Sequence, residues 1–249
     1  MNSFYENLKE ANRNMPKAAK IIIAIMISYY FYRYIFSGAL SWGLIIKIPL
    51  FMIAIICHEY GHGFVAYLCG DDTAKRAGRL TLNPIKHIDP LGLMLPLILI
   101  ATGSAFVIGW AKPIPVNYGK LKNGRVGEFL VGIAGISVNL ILAFMGAVLL
   151  RYAPFIMSAT ATKMTHEYIV YFVMINAILA IFNALPIPPL DGSKIVASFL
   201  NEKIRDKIFF FDRYGIIVLL VFSYLGFLTI LIEPGFFLII ELLNKFIVL

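Results

Sequence analysis

Two histidines four residues apart, with a glutamate beside the first, stand in the stretch Cys57-His58-Glu59-Tyr60-Gly61-His62 of a 249-residue chain. On a helix, positions four apart lie one turn above each other, so His58 and His62 present two imidazoles to one point. Glu59, next to the first of them, is placed to hold a water without ligating a metal. This is the HExxH arrangement, in which Zn²⁺ lowers the pKa of water and the glutamate takes its proton. The competing reading is two histidines packed by chance in a helix bundle. Against it, the run around them is apolar and ionisable groups in such a run are expensive. Two of the chain's four histidines nevertheless fall within five residues of each other.

A catalytic zinc site usually takes three protein ligands and keeps a fourth position open. Asp191 is the candidate third ligand, in Asn183-Ala184-Leu185-Pro186-Ile187-Pro188-Pro189-Leu190-Asp191-Gly192. Three prolines end the preceding helix, and Gly192 is expected to permit a tight turn, so a broken helix end aims a carboxylate into a cavity. Helix capping by Asp191 is the alternative role. Cys57 points about 100° away from His58 on a helix and reads as a small buried hydrophobe. His87 and His166 fall in expected loops, as surface or locally hydrogen-bonded residues.

Three asparagines, Asn139, Asn176 and Asn183, lie in apolar runs, where an amide must find partners either between helices or on a substrate. For Asn139 and Asn176 the first role is interhelical glue, with substrate contact as the second role of Asn139. Asn183, just before the proline break, is balanced between glue and donation to a peptide carbonyl. Gly132, Gly135 and Ser137 read as ordinary close helix packing.

Composition dictates the setting for these groups. The chain is 60% hydrophobic and 14% charged, whereas a soluble domain is roughly 45–50% apolar and about 25% charged. Too little polar surface remains to cover it in water, which excludes a soluble enzyme, a disordered binder and a basic nucleic-acid module. The expectation is an all-α polytopic membrane protein forming a single domain over 1–249, with the lipid bilayer as its surroundings. The net charge of +8 is concentrated in short segments between apolar runs, as in cytoplasmic loops, and requires no nucleic acid. Cys57 and Cys69 are twelve positions apart on one expected helix, about 18 Å along its axis, too far for a disulfide.

The apolar runs cover about 21–38, 45–68, 129–150, 169–185, 216–232 and 236–249, giving about six transmembrane helices after a cytoplasmic N-terminal arm, 1–20. The N-terminus and C-terminus are both placed inside, in a multi-pass protein of the cell membrane. The outer loops, near 37–42 and 152–167, are poor in basic residues. For the last run two readings stand, a crossing or a shallow hairpin started by Pro234-Gly235. Residues 91–110 are apolar but interrupted by Gly92, Pro96, Gly103 and Gly109 and flanked by basic loops. They read as a re-entrant hairpin lining a site, since irregular backbone at membrane depth requires protein or water around it.

The chain resembles the site-2 proteases, polytopic intramembrane zinc metalloproteases, in the minimal subgroup without PDZ or CBS domains. The resemblance lies in His58-Glu59-x-x-His62 followed by Leu190-Asp191-Gly192, with Gly78-Arg79-Leu80-Thr81-Leu82-Asn83-Pro84, His87-Ile88-Asp89-Pro90-Leu91-Gly92 and Gly109-Trp110-Ala111-Lys112-Pro113-Ile114-Pro115-Val116-Asn117 between them. It spans a catalytic core of about 45–200. It implies one Zn²⁺ per chain on His58, His62 and Asp191, with Glu59 as general base and Asn183 binding or polarising substrate. The implied reaction is hydrolysis of a peptide bond in or beside a partner's transmembrane segment. The family often carries Gly-Pro-x-x-Asn in the next helix, whereas here Ile136 follows Gly135 before Asn139. Two other readings compete: a metal-binding transporter, which would need more intramembrane carboxylates than Glu59 and Asp191, and an inactive protease-like scaffold. Homo-oligomerisation stays open.

Overall fold

The computed structural model describes residues 28, 29, 32, 42–89, 112–122 and 124–248. Two compact units divide the chain, Met1–Trp42 with Pro90–Trp110 and Gly43–Asp89 with Ala111–Leu249, and every candidate site residue belongs to the second. Of the expected first span at 21–38, only residues 28, 29 and 32 are described, as helix. The arm at 1–20 and the hairpin at 91–110 lie outside the described residues.

All regular structure among the described residues is helical. The elements are α1 (Trp42–Leu68), the single turn α2 (Thr73–Arg76), α3 (Gly124–Ile156), α4 (Ala159–Ala184), α5 (Asp191–Phe199), α6 (Glu202–Phe211), α7 (Gly215–Tyr224) and α8 (Phe227–Val248). Four stretches, Ile46–Leu68, Gly124–Ile156, Ala159–Ala184 and Phe227–Phe246, are long and apolar enough to cross a bilayer. Their lipid-compatible exteriors bear exposed Ile53, Ile141, Phe144 and Leu238. The protein is an all-α, multi-spanning membrane protein.

Helix α1 ends at Gly70, whose φ of 100° is open to glycine and closed to most other residues. Gly70 N–H donates to Tyr67 O at 3.0 Å and Asp71 N–H to Ala66 O at 2.9 Å, the Schellman pair that satisfies the last carbonyls. Asp71 is fully buried, and its carboxylate accepts from Thr73 N at 3.0 Å and Asn117 N at 2.6 Å. The segment 112–117 is thereby tied to the end of α1. At its start, Lys112 N–H donates to His87 O at 2.9 Å, while Arg79 Nη2 donates to Lys112 O at 2.6 Å.

Two boundaries differ from the sequence expectation. The loop expected at 152–167 is only the turn at 157–158, because α3 continues to Ile156 and Ser158 caps α4 by accepting from Ala161 N at 3.2 Å. His166 is therefore helical. Hydropathy marks where a chain leaves lipid, whereas backbone hydrogen bonding decides where its helix stops. Likewise Pro234 does not divide two spans. It lies inside α8, and the break falls at Gly226, with φ 76°. A proline removes one N–H, which a membrane helix tolerates, whereas a positive φ cannot be continued as helix. Helix α8 then runs once along the bundle: Leu228 near its start packs with Leu190 and Leu219, and Phe246 near its end packs its tilted ring against Phe144 and accepts from Arg151 Nη1. In this part of the chain α7 has ten residues, and α8 is long and apolar enough to cross a bilayer.

Candidate active site

Helix α3 is the scaffold on which the site is assembled, and its small residues explain how. A Cβ at Gly61 would lie 2.8 Å from Val138 Cγ2 and 3.3 Å from Ala134 O, so α1 crosses α3 in close contact at the middle of the His-Glu-x-x-His turn. A Cβ at Gly132 would lie 2.9 Å from Ile195 Cγ1, which marks the approach of α5 to the same helix. Between them, a Cβ at Gly135 would lie 2.4 Å from His62 Nε2 and 2.5 Å from His58 Cε1. Gly135 is thus more than a packing residue. It clears the volume that both imidazoles occupy.

The three candidate ligands converge. His62 Nε2 lies 3.0 Å from His58 Nε2 and 3.0 Å from Asp191 Oδ2, and His58 Nε2 lies 3.1 Å from the same oxygen. All three residues are buried, 7–8% exposed, where three lone-pair atoms facing one another away from water would repel without a cation between them. Their outer atoms are already committed. His58 Nδ1 faces Asn139 Oδ1 at 2.6 Å and His62 Nδ1 faces the Val131 carbonyl at 2.6 Å. Both partners are acceptors, so in the neutral rings Nδ1 carries the proton and Nε2 the lone pair. Two lone pairs and a carboxylate oxygen aimed at one point, with each imidazole oriented from behind, fit a divalent metal. This is the His/His/Asp cluster expected of a metal site.

Asp191 arrives there as the first residue of α5. Gly192 has no positive φ, so the expected tight turn is not its reason. A Cβ there would lie 2.2 Å from Ala184 O and 2.4 Å from Leu185 O, so the glycine lets α5 press against the end of α4. Gly192→Ala is expected to push the start of α5, and Asp191 with it, out of register. Overpacking against rigid backbone costs about 1–3 kcal/mol, and the expected reading is zinc affinity lowered at least tenfold in a titration of purified protein.

The other oxygen of Asp191, Oδ1, lies 3.6 Å from Lys194 Nζ. Burial works against that ammonium, but Tyr118, Asp191 and Asp212 around it hold its pKa above the ordinary lysine value. Beside this cluster Arg205 on α6 reaches the buried Glu128 of α3 at 3.2 Å. Glu59 projects from α1 toward the segment 112–117, where its Oε2 accepts from Ile114 N–H at 2.7 Å.

Sequence reasoning identified His58, His62, Asp191 and Glu59, and the structure brings the first three together with Glu59 adjoining on the same turn. Asn139 is completely buried, with its amide spent on His58, Ala54 and Asn176, so it faces a ligand ring and two neighbours. Asn183 donates to Leu179 O at 3.0 Å on its own helix and is not hydrogen-bonded to the three converging groups. His87 is fully buried and bonds locally to Thr81 O at 2.7 Å. The roles of Gly135 and of the Val131 carbonyl were not anticipated. A signal for the first existed: Gly135 and Asn139 are four apart on α3, as His58 and His62 are on α1.

Comparison with known proteins agrees with this geometry. The model of Peptidase family M50 matches residues 145–227. YwhC of Bacillus subtilis (strain 168) is 44% identical over 174 residues, covering 68% of this chain and 76% of that protein. Rip2 of Mycolicibacterium smegmatis (strain ATCC 700084 / mc(2)155) is 30% identical over 199 residues, covering 74% of each chain. Both relatives carry zinc-metalloprotease designations. No solved structure matches the chain. Relatives this similar over three quarters of their length, and a buried His/His/Asp cluster on apolar helices, place the chain in the M50 family, the site-2 proteases: it is an intramembrane zinc metalloprotease.

Proposed function

We propose that the chain is an endopeptidase with one Zn²⁺, held by His58 Nε2, His62 Nε2 and Asp191 Oδ2, that cleaves peptide bonds in or next to the transmembrane segments of other membrane proteins. The observation that carries this reading is the convergence of those three atoms within about hydrogen-bond distance while both Nδ1 atoms are occupied. Bound there, Zn²⁺ supplies Lewis acidity, polarising the scissile carbonyl and acidifying water.

The protein's own groups do the rest. Glu59 Oε2 is committed to Ile114 N–H, which leaves Oε1 as the basic atom that takes a proton from the attacking water and returns it to the leaving nitrogen. Asn139 and the Val131 carbonyl orient the two imidazoles. Asn183 uses only its N–H₂ within α4, so its carbonyl oxygen remains to receive a peptide N–H of the substrate. A substrate helix must unwind locally, because its peptide groups are hydrogen-bonded to each other. The segment 91–110 and Asn183 are the surfaces that hold it extended.

In this reading the basic N-terminal arm, 1–20, lies in the cytoplasm, and residues 21–38 make the first crossing of the cell membrane. Helices α1, α3, α4 and α8 are long and apolar enough to cross it as well. The experiment is metal removal. Chelated, purified protein in proteoliposomes is expected to lose cleavage of a transmembrane substrate and regain it on adding one equivalent of zinc. Cleavage that persists in metal-free protein overturns the proposal.

A further inference from the structure

Asn176 sits on α4, fully buried and without contact to the three converging atoms. Its Nδ2 donates to Phe172 O at 2.8 Å, and its Oδ1 accepts from Asn139 Nδ2 at 2.9 Å. Asn139 Nδ2 also donates to Ala54 O on α1 at 3.3 Å, and Asn139 Oδ1 meets His58 Nδ1 at 2.6 Å. Backbone carbonyls fix the direction of every bond in this relay, because they only accept. Phe172 O claims the N–H₂ of Asn176 and turns its oxygen to Asn139. Ala54 O and that oxygen both claim the N–H₂ of Asn139, which turns the Asn139 oxygen to His58. Asn139 Oδ1 then holds a proton on His58 Nδ1, so that in the neutral ring Nε2, 3.1 Å from Asp191 Oδ2, carries the lone pair.

We propose that Asn176 is a positioning residue for the metal site: through the Asn139 amide it selects the tautomer of His58 that can ligate. The inference rests on His58 being a metal ligand. Asn176 is the stronger of the two anchors on Asn139 Nδ2, since the bond to Ala54 O, at 3.3 Å, lies beyond the usual range for N–H···O. Without it the Asn139 amide is free to turn over and offer its N–H₂ to His58 Nδ1. That contact favours a proton on Nε2, where no lone pair remains for a metal. The relay spans α1, α3 and α4, so it also fixes the histidine ring to two neighbouring helices.

The test uses the full-length protein in detergent micelles with ring-¹⁵N-labelled histidine. In metal-free wild type, the His58 shifts are expected to report a proton on Nδ1. In Asn176→Leu a population with the proton on Nε2 is expected, together with zinc binding ten- to a hundredfold weaker. Asn176→Asp, its buried carboxyl protonated, keeps an oxygen facing Asn139 and an O–H for Phe172 O, and is expected to retain both the wild-type tautomer and an affinity within a few-fold. A residue that merely packs would lower the melting temperature of Asn176→Leu without moving the His58 shifts, and that result overturns the proposal. So does an Nε2–H tautomer in wild type, a measurement that needs no variant to fold. If wild type binds no zinc while His58 is Nδ1-protonated and Asn176→Leu shifts it, the relay stands and the metal reading fails instead.

Discussion

Glu59→Gln is expected to leave the fold and the metal affinity intact while lowering turnover about a thousandfold, the middle of the range for loss of a positioned general base. The structure says why this substitution is clean. Glu59 Oε2 accepts from Ile114 N–H, and the carbonyl oxygen of a glutamine accepts the same bond at the same place. What changes is the other terminal atom, from a basic oxygen to an N–H₂ group that takes no proton. Glu59 is outside the His/His/Asp cluster, so zinc content is expected to remain at one per chain. The measurements are metal stoichiometry and the single-turnover rate on a transmembrane substrate. A rate within a few-fold of wild type would remove Glu59 from the chemistry, and loss of zinc would make it a ligand.

The second large effect is expected from adding one methyl group. At Gly135 a Cβ would lie 2.4 Å from His62 Nε2, 2.5 Å from His58 Cε1 and 2.7 Å from His58 Nε2. These are ring atoms whose far sides are already pinned by Asn139 and Val131, so they cannot swing aside without breaking those bonds. Gly135→Ala is therefore expected to weaken zinc binding by roughly 5- to 150-fold, the equivalent of about 1–3 kcal/mol of overpacking, with cleavage falling in step at limiting zinc. Gly146→Ala on the same helix is the control. Its Cβ would meet Val173 Cγ2 at 2.7 Å, remote from the ligands, so it is expected to lower the melting temperature and leave zinc affinity unchanged. Equal zinc affinity in the two variants would show that the Gly135 effect is general packing strain.

The chemistry was legible in the sequence because it depends on short spacings. His58, Glu59 and His62 lie within one and a half turns, and an ionisable cluster in an apolar run has few other uses. Asp191 was legible through its surroundings, three prolines and a glycine in ten residues, although the glycine serves close approach and not a turn. Helix ends were less legible. The polar start of α4 looks like a loop by hydropathy, yet its backbone continues as helix from Ser158 onward. At Pro234 and Gly226 the more conspicuous residue lost, because a proline deletes one hydrogen bond while a φ of 76° redirects the chain. Least legible were the partners of the imidazoles. The Val131 carbonyl exists at every residue and leaves no trace in residue type, and the closeness of Gly135 to both rings depends on how two helices cross.

The pair of imidazoles and the carboxylate that faces them are 129 positions apart along the polypeptide. A cation shared between them is therefore a staple across more than half the molecule, closing a loop that holds α3 and α4 in between. A staple of this kind strengthens the assembled form in proportion to the logarithm of free metal over its dissociation constant. It also cannot form on a half-made chain: until α5 has emerged and docked, the nascent polypeptide lacks the Asp191 carboxylate that completes the cluster. The three-ligand set is thus complete only once α1 and α5 have met across α3.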